Sequence, residues 1–204
     1  AGPEALVPRV ETQLLAGAAI ELAGAMSGPL TIIDVCTGSG NVALAIAHRI
    51  PHARVYAADL SEDAVALARR NARHLGLADR VEFRTGDLLA PFDTPDLAGK
   101  VDVLTCNPPY ISSAKVGQMA TEISGHEPSL AFDGGPFGVS ILMRLLNDAP
   151  RLLRPGGWLA FEVGLGQGPA LIRRLGNNPA FDQVRSHPDA RGDIRSIAAR
   201  RSSI

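Results

Sequence analysis

The chain is 204 residues long, 46% hydrophobic and 20% charged. That is enough for one domain with a full core, short for two, and too apolar for disorder. Its 20 basic residues nearly balance 21 acidic ones, for a formal charge of −1, and pairs such as Arg69-Arg70 and Arg173-Arg174 without a longer basic run count against strong nucleic-acid binding. No apolar run nears the roughly 20 residues of a membrane span. Ala1-Gly2-Pro3-Glu4 lacks both parts of a secretory signal, and with no Met at position 1 a trimmed or processed start is expected. Cys36 and Cys106 each close an apolar run, which predicts buried free thiols and a reducing cytoplasm.

Residues 1–28 read as a leading segment with a helix, and 29–204 as the body of a single globular domain. Leu14, Leu15, Ala18, Ala19 and Leu22 share one helical face. Leu30 to Cys36 is short, β-branched and continuously apolar, the look of a strand covered on both faces. Residues 41–50 predict a helix ended by Pro51, and 54–58 a second strand. Ser61, with Glu62 and Asp63, opens a helix that Gly76 stops. Residues 80–84 form a third strand, 90–99 a Pro- and Asp-rich loop, and 101–106 a fourth strand halted by Asn107-Pro108-Pro109-Tyr110. About thirty residues without clear period follow, long enough to suggest a lid or substrate loop. Helix returns over 139–153. Pro155-Gly156-Gly157 then turns into a fifth strand over 158–163, followed by a helix over 167–175. Two last strands, 181–187 and 194–199, are joined by a turn so short that they must be antiparallel. Helices alternating with buried strands predict an α/β domain with a doubly wound, mainly parallel sheet.

Ligands of such sheets sit at the carboxyl ends of the strands. The first strand runs into Asp34-Val35-Cys36-Thr37-Gly38-Ser39-Gly40, whose glycines let backbone approach a ligand closely. The second ends at Asp59, followed by Leu60, where a carboxylate can accept from two ribose hydroxyls. The third ends at Gly86-Asp87-Leu88, suited to an adenine edge. Gly38, Gly40 and Ala43 also satisfy the loose dinucleotide pattern, so NAD is the competing ligand. Asp34 just before the glycines would repel a pyrophosphate but support a cationic sulfonium. Asp34, Thr37, Gly38, Gly40, Asp59, Leu60, Asp87, Leu88 and Asn107 are therefore the expected contacts of S-adenosylmethionine, with S-adenosylhomocysteine as product.

Asn107-Pro108-Pro109-Tyr110 is the expected catalytic segment. Its prolines end the strand and fix the backbone. The Asn107 oxygen and the Pro108 carbonyl can accept two N–H bonds of one planar nitrogen, while Tyr110 offers a flat face. The five scattered histidines form no ligand set, so no metal is expected. Met119, Met143 and Trp158 read as packing, and Arg191-Gly192-Asp193 as a turn.

With these motifs in place, the sequence resembles the HemK-type methyltransferases, which methylate a glutamine side-chain amide in peptide chain release factors. The likeness takes in Leu6-Val7-Pro8-Arg9 with Glu11-Thr12, Glu127-Pro128-Ser129-Leu130-Ala131, Gly134-Gly135, Pro155-Gly156-Gly157, Glu162-Val163-Gly164, Gln167 and the closing hairpin. It implies a class I, Rossmann-like fold with a seven-stranded mixed sheet and an antiparallel C-terminal hairpin. It also implies a cytoplasmic enzyme and a protein partner, with Arg9, Thr12, Tyr110, Glu127 and Pro128 on the substrate side. The family's catalytic domain normally follows a small helical domain that helps hold the release factor; 204 residues leave no room for it, and its absence is expected here. Val10, Gln13 and Phe137-Gly138-Val139 depart from the family pattern on the acceptor side. A small-metabolite amide or amine, and more remotely a nucleic-acid base, are the alternative acceptors.

Overall fold

Alternation along two central strands builds three layers. A computed structural model describes residues 9–110 and 139–203. Strand β1 (Leu30–Val35) and strand β4 (Val101–Cys106) lie side by side at the middle of the sheet. Successive strand residues point to opposite faces, so Ile33, Val35, Leu104 and Cys106 enter one core and Ile32 and Val103 the other. The first core is covered by α4 (Ser140–Leu152) through Leu142, Leu145 and Leu146, and by α5 (Gly168–Gly176) through Leu171 and Leu175. The second is covered by α1 (Thr12–Gly24), α2 (Asn41–Arg49) and α3 (Glu62–His74), through Leu15, Ala19, Val42, Ile46, Val65 and Ala68. With β2 (Ala53–Asp59), β3 (Val81–Thr85), β5 (Leu153–Glu162), β6 (Phe181–Pro188) and β7 (Ile194–Arg201), the sheet has the order β3-β2-β1-β4-β5-β7-β6.

The first five strands pair in parallel, and β7 pairs antiparallel with both β5 and β6. This is the seven-stranded mixed sheet with a closing hairpin that the sequence led us to expect. From β1 the chain winds outward through β2 and β3, then crosses back to β4 on the other side. The topological switch point therefore falls between the carboxyl ends of β1 and β4. Local signals behave as expected: the Ser61 hydroxyl accepts from the Ala64 amide at 3.2 Å, and Gly76 takes φ +70 just past α3. Both cysteines are free, Cys106 buried and Cys36 half-buried. Among the described residues no helix is long and apolar enough to cross a membrane.

The largest boundary difference falls at β5. Strand β5 begins at Leu153 and includes Pro155-Gly156-Gly157, which sequence reading places ahead of the strand. Leu153 pairs with Val101 and Trp158 with Val103, so the intervening residues bulge out of the ladder. Proline cannot donate to the ladder, and a bulge is where sheets accommodate it. Gly157 closes the bulge against backbone: a Cβ there would lie 2.8 Å from the Val101 carbonyl oxygen and 3.0 Å from that of Arg154. Carbonyl oxygens of a central strand cannot rotate away as a side chain can. Gly157→Ala should therefore destabilise the fold by roughly 1–3 kcal/mol, the scale of overpacking. Urea unfolding of the variant beside wild type checks this.

Candidate active site

Past Val35 the chain turns sharply into α2. Cys36, Gly38 and Gly40 all take positive φ, at 55, 54 and 82. The Thr37 amide bonds the Ala58 carbonyl at 3.0 Å, and the Gly40 amide the Thr37 carbonyl at 2.9 Å, so the turn is tied to β2 and to itself. At Gly40 a side chain would be both strained and crowded, because a Cβ would lie 3.1 Å from Ala68 Cβ on α3.

Asp34 stands beneath this turn, 1% exposed. Its Oδ2 accepts from the Thr37 hydroxyl at 2.6 Å and its Oδ1 from the Thr105 hydroxyl at 2.6 Å. Burial pushes its pKa up to about 6 in spite of those bonds. Both of its oxygens are thus hydrogen-bonded within the protein. Its visible work is to hold the turn against β4.

Asp59 is arranged differently. Partly exposed at the end of β2, it accepts from the Gly38 amide at 2.8 Å through Oδ2 and from the Ser61 amide at 3.0 Å through Oδ1. A carboxylate has about four acceptor positions, so each oxygen retains capacity for a further donor. Leu60 beside it is 52% exposed, while Leu88 is buried with φ 48. Asp87 is exposed and pairs at 2.6 Å with Arg144 of α4. That pairing partner is far away in sequence and carries no local signal.

On the β4 side, Asn107 is half-buried and its Nδ2 donates to the Thr12 hydroxyl at 3.3 Å. Pro108 is buried, whereas Pro109 and Tyr110 are partly exposed. Tyr110 is held at three points. Its hydroxyl donates to Glu162 Oε1 at 3.0 Å, its carbonyl accepts from Gln167 Nε2 at 3.2 Å, and its ring lies so close to Gly164 that a Cβ there would be 3.1 Å from Cδ2. Burial first, and Glu162 next, push the phenol up to about 12.

Thr12, expected on the substrate side, is 4% exposed and its hydroxyl donates to Glu162 Oε2 at 2.9 Å. The same hydroxyl accepts from Asn107 and braces it from behind. Arg9 is exposed, and its charge acts on the Tyr110 hydroxyl. Glu127 and Pro128 lie outside the described residues, as do the expected substrate loop and Met119. Sequence reading gave Glu162 no role, although a carboxylate closing the buried run from Trp158 is itself a signal. Burial raises its pKa, while Thr12, Tyr110 and the buried Arg195 of β7 hold it down. Among the described residues no group of three or more His, Cys, Asp or Glu could hold a metal ion.

Comparison with known proteins places this geometry. Residues 32–126 match the family model of a methyltransferase domain. The chain is 43% identical over 203 residues to a release factor glutamine methyltransferase of Moorella thermoacetica, covering 98% of this chain and 68% of that protein. It is 39% identical over 202 residues to a release factor glutamine methyltransferase of Streptomyces coelicolor, covering 98% and 70%. Among solved structures it is similar to a ribosomal protein L11 methylase from Lactobacillus delbrueckii subsp. bulgaricus, with TM-score 0.66 and 25% identity, covering 97% of this chain and 81% of that one. The chain thus spans about two thirds of the length of these curated relatives.

The buried Asp34 makes stability depend on pH with a definite sign. Its pKa is about 6 in the folded protein against an ordinary 3.8, so the folded chain holds this proton more tightly than the unfolded one. Ionising it costs stability, and the cost accumulates as pH rises from about 4 through 6. In Asp34→Asn no charge is buried and the two hydroxyls can turn to suit the amide. Relative to this variant, wild type should lose stability between pH 4.5 and pH 7.5, on the order of 2 kcal/mol. Urea titrations of both proteins at the two pH values measure the difference.

Proposed function

The chain belongs to the release factor glutamine methyltransferase family, and on that footing we propose that it methylates the side-chain amide nitrogen of a glutamine in a peptide chain release factor. One observation carries the reading: Asn107-Pro108-Pro109-Tyr110 begins where β4 ends, beside the glycine turn that follows β1. The enzyme is an S-adenosylmethionine-dependent N-methyltransferase. S-adenosylmethionine, when bound, supplies an electrophilic methyl group on a sulfonium, and S-adenosylhomocysteine is its product. The donor set fits such a ligand. Asp59 has acceptor capacity left on both oxygens for ribose hydroxyls, and the turn at Thr37, Gly38 and Gly40 allows close backbone approach. Leu60, Asp87 and Leu88 would line the nucleoside, and Asp34 would add its charge from behind the turn.

The rest is positioning. Asn107 Oδ1 has no donor among the described residues, because the other end of that amide is tied to Thr12. It and the Pro108 carbonyl would accept the two N–H bonds of the substrate amide, raising electron density on nitrogen and fixing its approach. The Tyr110 ring would bound the amide plane. The sulfonium, when bound, would supply its methyl group to this nitrogen, and the proton that nitrogen sheds would pass to water, since Asn107 and the Pro108 carbonyl are acceptors and not bases. Translation termination runs in the cytoplasm, so this reading locates the enzyme there.

The test is to incubate the chain with methyl-labelled S-adenosylmethionine and an unmethylated bacterial release factor, then map the label. Label on a glutamine amide nitrogen is expected. With a cytosolic extract in place of the release factor, label confined to the small-molecule fraction would favour a metabolite acceptor; label on oxygen would overturn the amide chemistry. Asp59→Ala should weaken S-adenosylmethionine binding by about 1.5–3 kcal/mol in calorimetry, the scale for charge-assisted hydrogen bonds. Asn107→Ala should leave that affinity within a few-fold yet lower turnover by roughly 10²–10³, the scale for one preorganised polar group.

A further inference from the structure

We propose that Glu162 is a positioning residue that, through Thr12, dictates which end of the Asn107 side-chain amide faces the acceptor. The argument is one of hydrogen-bond polarity. An ionised carboxylate only accepts. Thr12 has a single hydroxyl hydrogen and gives it to Glu162 Oε2 at 2.9 Å. Its oxygen can then only accept from its other neighbour, Asn107, 3.3 Å away, and the amide must present its NH₂ end. Oδ1 is thereby left at the other end of the planar amide, turned away from Thr12. Were the amide turned over, two acceptor oxygens would face each other with no hydrogen between them. The other carboxylate oxygen of Glu162 takes the Tyr110 hydroxyl at 3.0 Å, so one buried group sets both polar side chains of the motif.

The inference deepens the proposed reaction and rests on it for its kinetic consequence, since an amide acceptor needs an oxygen rather than an NH₂ group opposite its N–H. Protonated Glu162 would release the constraint, because it can donate to Thr12, whose hydrogen is then free to turn toward Asn107. The charges facing Glu162 are Glu11 just ahead of α1 and Arg195 of β7, with Tyr110 from the motif itself and Arg9 acting on Tyr110. Burial is the strongest of these influences and raises the carboxyl's pKa. Asp34 also titrates in the acid range from the cofactor side, and its contribution to the pH profile is common to wild type and Glu162→Gln.

Two readouts test the proposal. In the first, the full chain methylates an unmethylated release factor at saturating S-adenosylmethionine. Glu162→Gln and Thr12→Val should each lower kcat by about 10- to 100-fold, the scale for misplacing a preorganised group. Calorimetric affinity for S-adenosylmethionine should stay within a few-fold, and Thr12→Ser should restore wild-type kcat. The acid limb of kcat should be weaker in Glu162→Gln than in wild type, the difference being the part due to Glu162. The second readout needs no turnover. The side-chain ¹⁵NH₂ resonances of Asn107, assigned with Asn107→Asp, should shift with pH in wild type and be insensitive to it in Glu162→Gln. If wild type leaves the release factor unmethylated, the proposed substrate is wrong while the resonances still decide the role of Glu162. An unchanged kcat with an intact acid limb in Glu162→Gln, or Asn107 resonances that titrate alike in both proteins, would overturn the proposal.

Discussion

A single buried carboxylate holds the switch point together. Asp34 on β1 and Thr105 on β4 are direct partners in the sheet, and their side chains are joined by a 2.6 Å hydrogen bond. The same carboxylate reaches forward to Thr37 and so fixes where the backbone leaves the sheet. Everything downstream depends on that exit. The turn delivers the Gly38 amide to Asp59, and Asp59 in turn holds Ser61, the cap of α3. Three strand ends are thus indexed to one another by carboxylates that accept from backbone amides and short hydroxyls, groups with little rotamer freedom to lose.

The acceptor side repeats this device with different partners. Glu162 at the end of β5 gathers Thr12 from the start of α1 and Tyr110 from the segment after β4, while Gln167 bonds the Tyr110 carbonyl and the Gly164 amide. Each half of the site therefore has one buried acid behind it and one polar group in front: Asp34 behind Asp59, Glu162 behind Asn107. A buried acid is costly to desolvate. Here each has both oxygens hydrogen-bonded, which is the condition under which such a group rigidifies its surroundings instead of loosening them.

What was legible in the sequence divides along these lines. The sheet was readable because its strands are short, β-branched and covered on both faces, and because Ser61 and Gly76 punctuate α3 in the ordinary way. Asp59 was readable as a carboxylate closing an apolar strand and Asn107 as a polar residue that prolines follow, and in such a sheet the carboxyl ends of strands are the working edge. The braces were not. Thr12 contacts Asn107 across 95 positions of sequence and Glu162 across 150, and nothing local in either residue announces the other. Thr12 and Asp34 were expected to touch ligand, and their sequence neighbourhoods gave no sign of the internal hydrogen bonds that each makes across the sheet. The bulge at Pro155-Gly156-Gly157 was seen as a turn because sequence shows where a ladder must be interrupted but not that it resumes.

The closing hairpin gains a role from this arrangement. Because β7 inserts antiparallel between β5 and β6, Ser196 pairs with Glu162, and Arg195 comes to the end of β5. There its Nε donates to the Val163 carbonyl at 3.3 Å and its Nη1 pairs with Glu11 at 3.2 Å. Arg195 is 6% exposed and is the cation that offsets burial of Glu162. A parallel sixth strand would need a crossover of a dozen or more residues. The turn at 189–193 needs only Asp189, whose backbone amide bonds the Asp193 carbonyl at 2.8 Å and whose side chain takes two amides of the same turn. The antiparallel edge is thus the shortest path by which this chain brings a positive charge beneath its own reactive corner.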